Sequence, residues 1–364
     1  MTSPTVDTGS VHNKVALIVG ASGIAGSAIV EQLNQNGGWT VLALSRNPIP
    51  GSSTRHISAD LLSAESLAVA LGTEKPTHVF FTAWAKQDTE QKNISVNAAM
   101  LRNLLEALDH APVEHVALMT GLKHYLGPFE SYGAGPIPDT PFREEEPRLP
   151  APNFYYAQED ELWAAAERQG FRWSVHRSHT VIGHAVGNAM NMGLTLAAQA
   201  TLCKELGKPF VFPGSETQWN SLTDMTDGDL LAEHMIWAAT TEKAGNQAYN
   251  VVNGDVFRWR WMWPKLAAYF GVKAEGFQGS PRPLEAQMQG MDDVWSKIAA
   301  THGLVEADLA RVASWWHTDA DLGRNIEVLA DMSKSRLAGF TGYRRTEDSF
   351  RRLFDRYRAE KIIP

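Results

Sequence analysis

Lys14-Val15-Ala16-Leu17-Ile18-Val19-Gly20-Ala21-Ser22-Gly23-Ile24-Ala25-Gly26 is an apolar run that breaks into glycines and resumes as an amphipathic pattern. The stretch Lys14 to Val19 predicts a short buried strand. From Ile24 to about Gln35 the residues Ile24, Ala28, Ile29 and Leu33 share one face, which predicts a helix. Between the two, Gly-x-x-Gly-x-x-Gly lets the backbone approach a pyrophosphate at the helix N-terminus, where unpaired N–H groups and the helix dipole favour an anion. Glycines at this spacing also make a plain tight turn. Their place after a strand and at the opening of a helix is what gives them weight.

Working outward, strands are predicted over Thr40 to Leu44, His56 to Ala59, His78 to Phe81 and Val113 to Met119. Helices are predicted over Ser63 to Leu71, with a serine cap and Glu65 in the first turn, and over Glu90 to Leu108. Strands alternating with helices imply a doubly wound α/β fold of Rossmann type, with a parallel sheet covered on both faces. Ligands of such sheets bind beyond the carboxyl ends of the strands. Gly20, Ser22, Gly23, Ile24 and Gly26 therefore become the expected pyrophosphate site. The second strand ends in Ser45-Arg46 where an acidic residue would meet an unphosphorylated ribose. An arginine pairs with a 2′-phosphate through charge-assisted hydrogen bonds, so NADPH is expected in preference to NADH. Asp60 and Leu61 fall at the adenine edge, and Thr82, Ala83 and Trp84 at the ribose and nicotinamide side.

The chain of 364 residues accommodates a nucleotide domain and a second lobe. The expected organisation is a disordered lead-in over 1–12, an NADP-binding domain over 13–185, and a smaller, mostly helical substrate lobe over 186–364 that returns some strands to the sheet. Residues 127–152, rich in proline and glycine, predict a long loop. Further helices are expected over Tyr155 to Gln169 and Gly187 to Leu206, and a strand over Trp173 to Arg177. Trp259, Trp261 and Trp263 alternate as on a strand or an irregular turn. The net charge of −8, without a basic cluster, argues against a nucleic-acid partner. No uninterrupted apolar run reaches the length of a membrane span, and the N-terminus lacks the pattern of a signal peptide. The single cysteine, Cys203, gives no disulfide or thiolate cluster, so a cytoplasmic setting and no metal are expected.

Lys123 follows the strand ending at Met119, and Tyr155 opens a helix. A tyrosine hydroxyl can hold a substrate oxygen on which negative charge develops, and a nearby lysine lowers its pKa and anchors the nicotinamide ribose. Most short-chain dehydrogenases carry this pair as Tyr-x-x-x-Lys. Here Glu159 and Asp160 stand four residues after Tyr155 and Tyr156. The strings Tyr269…Lys273 and Tyr357…Lys361 lie far past the nucleotide half and are read as accidental.

Thr120-Gly121-Leu122-Lys123-His124-Tyr125-Leu126-Gly127-Pro128 and Asn153-Phe154-Tyr155-Tyr156-Ala157-Gln158-Glu159-Asp160 resemble the progesterone 5β-reductase/iridoid synthase-like (PRISE) enzymes, atypical extended short-chain dehydrogenases/reductases. Similarity extends to Thr77-His78-Val79-Phe80, Trp173-Ser174-Val175-His176-Arg177, Ala232-Glu233-His234-Met235-Ile236-Trp237-Ala238 and Tyr249-Asn250-Val251-Val252-Asn253-Gly254-Asp255. The chain looks more like a microbial member, with Ser178-His179 in place of Pro-Gly and Ser45 in place of a first arginine.

The resemblance implies NADPH-dependent 1,4-reduction of the C=C bond of enones and enals, with Tyr155 and Lys123 matching the catalytic pair. Thr120, Tyr155, Thr180 and Val181 would border the cofactor, and Tyr156, Met190, Phe210 and Trp219 the substrate. Tyr156, however, points elsewhere on its helix, and packing accounts equally well for the other three. Carbonyl reduction, nucleotide-sugar epimerisation and a non-catalytic NADP sensor are the rival readings. A small unsaturated carbonyl is the expected partner, with a homodimer left open.

Overall fold

The computed structural model describes residues 14–46, 48, 54–128 and 139–364. The expected lead-in and part of the expected loop lie outside the described residues. The strands are β1 (Lys14–Val19), β2 (Trp39–Leu44), β3 (Arg55–Ile57), β4 (His78–Phe81), β5 (His115–Gly121), β6 (Arg172–Ser178), β7 (Val181–Ile182), β8 (Phe210–Val211), β9 (Thr226–Asp227), β10 (Gln247–Val251) and β11 (Ala274–Glu275). The helices used below are α1 (Ile24–Asn36), α2 (Ala64–Leu71), α3 (Glu90–Ala107), α4 (Lys123–Leu126), α5 (Phe154–Gln169), α6 (Met192–Glu205), α7 (Glu216–Asn220), α8 (Gly228–Thr240) and α9 (Trp259–Phe270).

Among the described residues, seven parallel strands form one sheet in the order β10-β6-β5-β4-β1-β2-β3. Leu17 and Val19 of β1 face a layer with Leu101, Leu104 and Leu162 from α3 and α5. Ala16 and Ile18 face the opposite layer, with Ile29 of α1 and Leu231 and Met235 of α8. Burial on both faces is why the strands read as continuous apolar runs instead of alternating ones. Each buried aliphatic side chain contributes about 1.5–3 kcal/mol relative to an exposed one. The doubly wound α/β class is thus observed. The order reverses between β1 and β4, which opens a crevice at their carboxyl ends.

The second half is not separate from this sheet, because β10 pairs with β6 and α8 covers one face. The remainder builds its own core from α6, α9 and the C-terminal helix Thr346–Ala359. Two sequence expectations change here. The tryptophans at 259, 261 and 263 lie on α9, not on a strand or irregular turn. Trp259 and Trp263 are one helical turn apart and buried, whereas Trp261 on the other side is 47% exposed. Three positions spaced by two cannot separate a strand from a helix seen at i and i+4. The helix expected from Gly187 begins only at Met192, because Gly187 has φ +73° and Asn191 caps the helix by accepting from Leu194 N–H.

Candidate active site

The glycine turn is built for close approach. Gly20 takes φ +83°, and a Cβ there would stand 2.9 Å from Ala83 N. A Cβ on Gly26 would lie 2.3 Å from the Gly20 carbonyl oxygen, so α1 presses directly on the turn. The N-terminus of α1 fits an anion. Its cap residue Gly23 provides no side-chain hydrogen bond and the first turn carries no acid. By contrast, α2 and α3 are capped by Ser63 and Thr89 and carry Glu65 and Glu90 in their first turns. Ser22 is exposed on the turn, and Ile24 is buried beneath it. The Asn188 amide nitrogen lies 3.7 Å from the point where a Gly23 Cβ would sit. A segment of the second half thus covers the turn, a feature that sequence spacing could not reveal.

Arg46 is exposed at the end of β2, and its carbonyl accepts from Ser58 Oγ. Ser45 is buried, with its hydroxyl 3.2 Å from His56 Nε2. Asp60 Oδ1 accepts from Leu62 N–H, while Leu61 belongs to the core. Thr82 donates to the Val19 carbonyl at 2.8 Å, which ties β4 to β1 just below Ala83. Trp84 is partly buried and lies against Phe154 with 6.2 Å between ring centroids.

Around the expected catalytic pair, β5 continues to Gly121 and Lys123 opens the one-turn helix α4. A Cβ on Gly121 would meet the Tyr155 hydroxyl oxygen at 3.2 Å and the Ser178 carbonyl oxygen at 3.1 Å. Tyr155 therefore places its hydroxyl against the bare backbone at the end of β5. Asn153 joins the two elements. Its side-chain oxygen caps α5 by accepting from Tyr155 N–H at 3.0 Å, and its amide donates to the Lys123 carbonyl at 2.7 Å. Glu90 Oε1 accepts from Phe154 N–H at 2.8 Å. Lys123 Nζ stands 5.4 Å from the Phe154 ring centroid, and the Phe154 and Tyr155 rings are 4.2 Å apart. Burial raises the Tyr155 pKa above its ordinary value, and the Glu90 carboxylate raises it further. The group is a protonated hydrogen-bond donor at neutral pH.

Glu159 occupies the place of the usual lysine and is fully buried, 2.9 Å from Arg148 and 3.5 Å from Arg177. Tyr156, expected at the substrate, donates to the His124 carbonyl and accepts from Leu149 N–H. Its hydroxyl holds the Lys123 turn from behind, since adjacent helix residues point about 100° apart. Thr120 is buried inside β5, where its carbonyl accepts from Ser178 Oγ. Phe210 is a core residue, stacked on Trp263 with 4.0 Å between centroids. Trp219 packs against Phe212 and beneath Gly276. Met190 lies in the turn before α6, half-buried, with its N–H donating to Asn188.

Val181 pairs with Thr226 in the short β7–β9 sheet. Thr180 donates to Asp321 Oδ2 at 2.6 Å. Next to it, His179 lies between Asp224, 2.7 Å from its Nδ1, and the Arg324 guanidinium, 3.1 Å from its Nε2. The segment 315–324 thus backs the loop after β6, a contact with no signature in the sequence. The two distal Tyr-x-x-x-Lys strings have other uses. Tyr269 donates to Asp355, and Tyr357 is buried against Gly183 and Asn191.

A glycine turn at a helix without a side-chain cap, and a tyrosine hydroxyl set against the end of the fifth strand, define a dinucleotide-binding enzyme of the extended short-chain dehydrogenase class. Structural likeness agrees as to fold. UDP-glucose 4-epimerase of Thermotoga maritima superposes with a TM-score of 0.68 over 95% of this chain and 99% of its own, at 16% identity. The Thermus thermophilus UDP-glucose 4-epimerase gives 0.66 over 94% and 99%, at 20% identity. The chain belongs to the family described as the PRISE-like Rossmann-fold domain, whose model matches residues 16–364. It is 39% identical to (S)-8-oxocitronellyl enol synthase CYC2 of Camptotheca acuminata over 96% of this chain and 93% of that one. It is equally 39% identical to the 3-oxo-Delta(4,5)-steroid 5-beta-reductase of Arabidopsis thaliana, with the same coverage. Among the described residues, no helix is long and apolar enough to cross a membrane.

Proposed function

We propose that this protein is an NADPH-dependent ene-reductase that saturates the C=C bond of α,β-unsaturated carbonyl compounds. The observation that carries the reading is the placement of the Tyr155 hydroxyl against Gly121, tied through Asn153 to the turn that bears Lys123. Family membership supports it, and one relative is named for reducing a steroid whose double bond is conjugated to a 3-oxo group.

The nicotinamide, when bound, supplies a hydride to the β-carbon. The glycine turn and the N-terminus of α1 receive the pyrophosphate, Arg46 the 2′-phosphate, and the loop at Thr180 and Val181 the nicotinamide flank. Tyr155 donates a hydrogen bond to the substrate carbonyl oxygen, where charge accumulates as the β-carbon is reduced. Lys123 adds positive charge beside that oxygen. A buried phenol above its ordinary pKa stays protonated, so it stabilises an enolate as a neutral donor.

Incubation with NADPH and a small enone should consume cofactor and yield the saturated carbonyl. Tyr155→Phe should lower kcat on the order of a hundredfold or more, with NADPH affinity retained. Equal turnover by the variant, or wild type that binds NADPH and turns over no unsaturated carbonyl, rejects the reading.

A further inference from the structure

Strand β6 ends at Ser178, and the peptide group that joins Ser178 to His179 touches the reactive centre on one edge. A trans peptide is planar, with its carbonyl and its N–H pointing opposite ways. The Ser178 carbonyl accepts from the N–H of Leu122, the residue before Lys123, at 3.1 Å. A Cβ on Gly121, beside the Tyr155 hydroxyl, would meet the same oxygen. On the other edge, His179 N–H donates to Thr226 Oγ1 at 3.1 Å, and that hydroxyl donates to the Val251 carbonyl at 2.7 Å. The orientation of this one peptide therefore bears on where the turn of Lys123 stands relative to Tyr155.

The His179 side chain is buried and anchored at both nitrogens. An arginine only donates, so Nε2 accepts from the Arg324 guanidinium at 3.1 Å, and Nδ1–H donates to Asp224 Oδ1 at 2.7 Å. Both partners are themselves fixed. Asp224 Oδ2 accepts from Ala330 N–H at 2.8 Å, and Arg324 Nε donates to the Asp321 carbonyl at 2.8 Å. Asp321 also accepts from Thr180, so two residues three apart grip two consecutive residues of the loop after β6. The far end of that loop is held separately on α1, where Ser27 Oγ lies 3.3 Å from the His184 carbonyl and a Cβ on Gly183 would stand 2.5 Å from Ile24. Burying these charged groups costs desolvation that only complete pairing offsets, and an apolar residue at 179 would avoid part of that cost. It would leave the direction of the peptide unset.

We propose that His179 is a positioning residue for the reaction. It fixes the Ser178–His179 peptide, and through the Ser178 carbonyl the register of the Lys123 turn with the Tyr155 hydroxyl. This rests on the ene-reductase reading.

The test measures kcat with a small enone, counted per NADPH-binding site so that unfolded protein does not enter, together with NADPH affinity and the melting temperature. His179→Leu fills much of the space without a polar atom. It should lower kcat per site by about tenfold or more and leave NADPH affinity within about twofold, because the glycine turn is anchored elsewhere. His179→Asn sets an amide N–H near the place of Nδ1 and should regain most of that rate. Thr226→Val removes the acceptor on the other edge of the same peptide and should lower kcat per site in the same direction. A purely structural role predicts a lower melting temperature with kcat per site unchanged. That result in His179→Leu, or in Thr226→Val should the leucine variant fail to fold, overturns the proposal. So does a loss that falls on NADPH affinity instead of kcat, or one that His179→Asn does not reduce. In each of these cases enone reduction by the wild type stands. Wild type that reduces no enone rejects the underlying reading, and this role with it.

Discussion

Gly121 admits Tyr155 because it has no side chain. A methyl group there would sit 3.2 Å from the tyrosine oxygen and 3.1 Å from the Ser178 carbonyl, and that carbonyl belongs to a strand backbone that cannot easily yield. The tyrosine would have to move. Gly121→Ala should therefore cut kcat at least tenfold through misplacement of the hydroxyl, while NADPH binding, set at the distant glycine turn, changes little. Steady-state kinetics and cofactor fluorescence titration measure the two separately, and a loss confined to cofactor affinity would contradict this. In sequence, Gly121 is simply part of the motif that carries the family resemblance. That Tyr155 and Lys123 come from neighbouring elements could be anticipated from their places after β5 and at the start of α5. The role of Gly121 could not, since the need for a missing Cβ is visible only once another element packs against it.

At the scale of elements, the ordinary Tyr-x-x-x-Lys helix keeps both groups on one rigid rod. Here Lys123 and Tyr155 come from α4 and α5, so something must fix one relative to the other. Asn153 does so with a single side chain, Tyr156 supports the same turn from the buried side, and Glu159 Oε1 lies 3.8 Å from His124 Nδ1 on it. Asn153→Ala should lose a helix cap, about 1 kcal/mol, and leave the Lys123 carbonyl without this donor. Thermal melting should fall by a few degrees and kcat should drop further than stability accounts for. Asn153→Asp retains the cap acceptor but not the amide donor, so it should recover much of the stability and little of the rate. Full recovery of rate by the aspartate would show that the link to Lys123 is unimportant. The missing lysine at position 159 was readable in the sequence. Its structural replacement, a buried carboxylate between two arginines, was not, because one arginine comes from the loop before α5 and the other from β6.

For the molecule as a whole, the alternation of strands and helices made the sheet legible, since burial on both faces imposes a simple apolar pattern. The second lobe was harder to read, because short strands and helices of mixed register leave no period, as α9 and the start of α6 illustrate. The sheet also encloses histidines that sequence alone treats as ordinary. His115 and His176 each approach Ser174 Oγ at 2.8 Å, and His176 meets His234 on α8 at 2.9 Å. Burial lowers the pKa of His115 and His176 well below the ordinary value, that of His78 to about 4, and those of His124 and His234 to about 3. Below the unfolded value of about 6.5 the unfolded chain binds protons that the folded chain excludes. Stability is therefore fully present above that pH and declines as pH falls toward the folded values. Each such histidine contributes up to about 1.4 kcal/mol per pH unit. The urea midpoint should be flat above neutrality and fall steeply toward pH 4, and a flat midpoint across that interval would contradict the buried-neutral assignment.

The central claim is that hydride reaches the β-carbon, with Tyr155 holding the oxygen. It is tested most directly by reducing a small enone with NADPH carrying deuterium at the transferred position and locating the label by NMR. Deuterium is expected on the β-carbon of a saturated carbonyl product. Deuterium on the carbinol carbon of an unsaturated alcohol would contradict it and make the protein a carbonyl reductase.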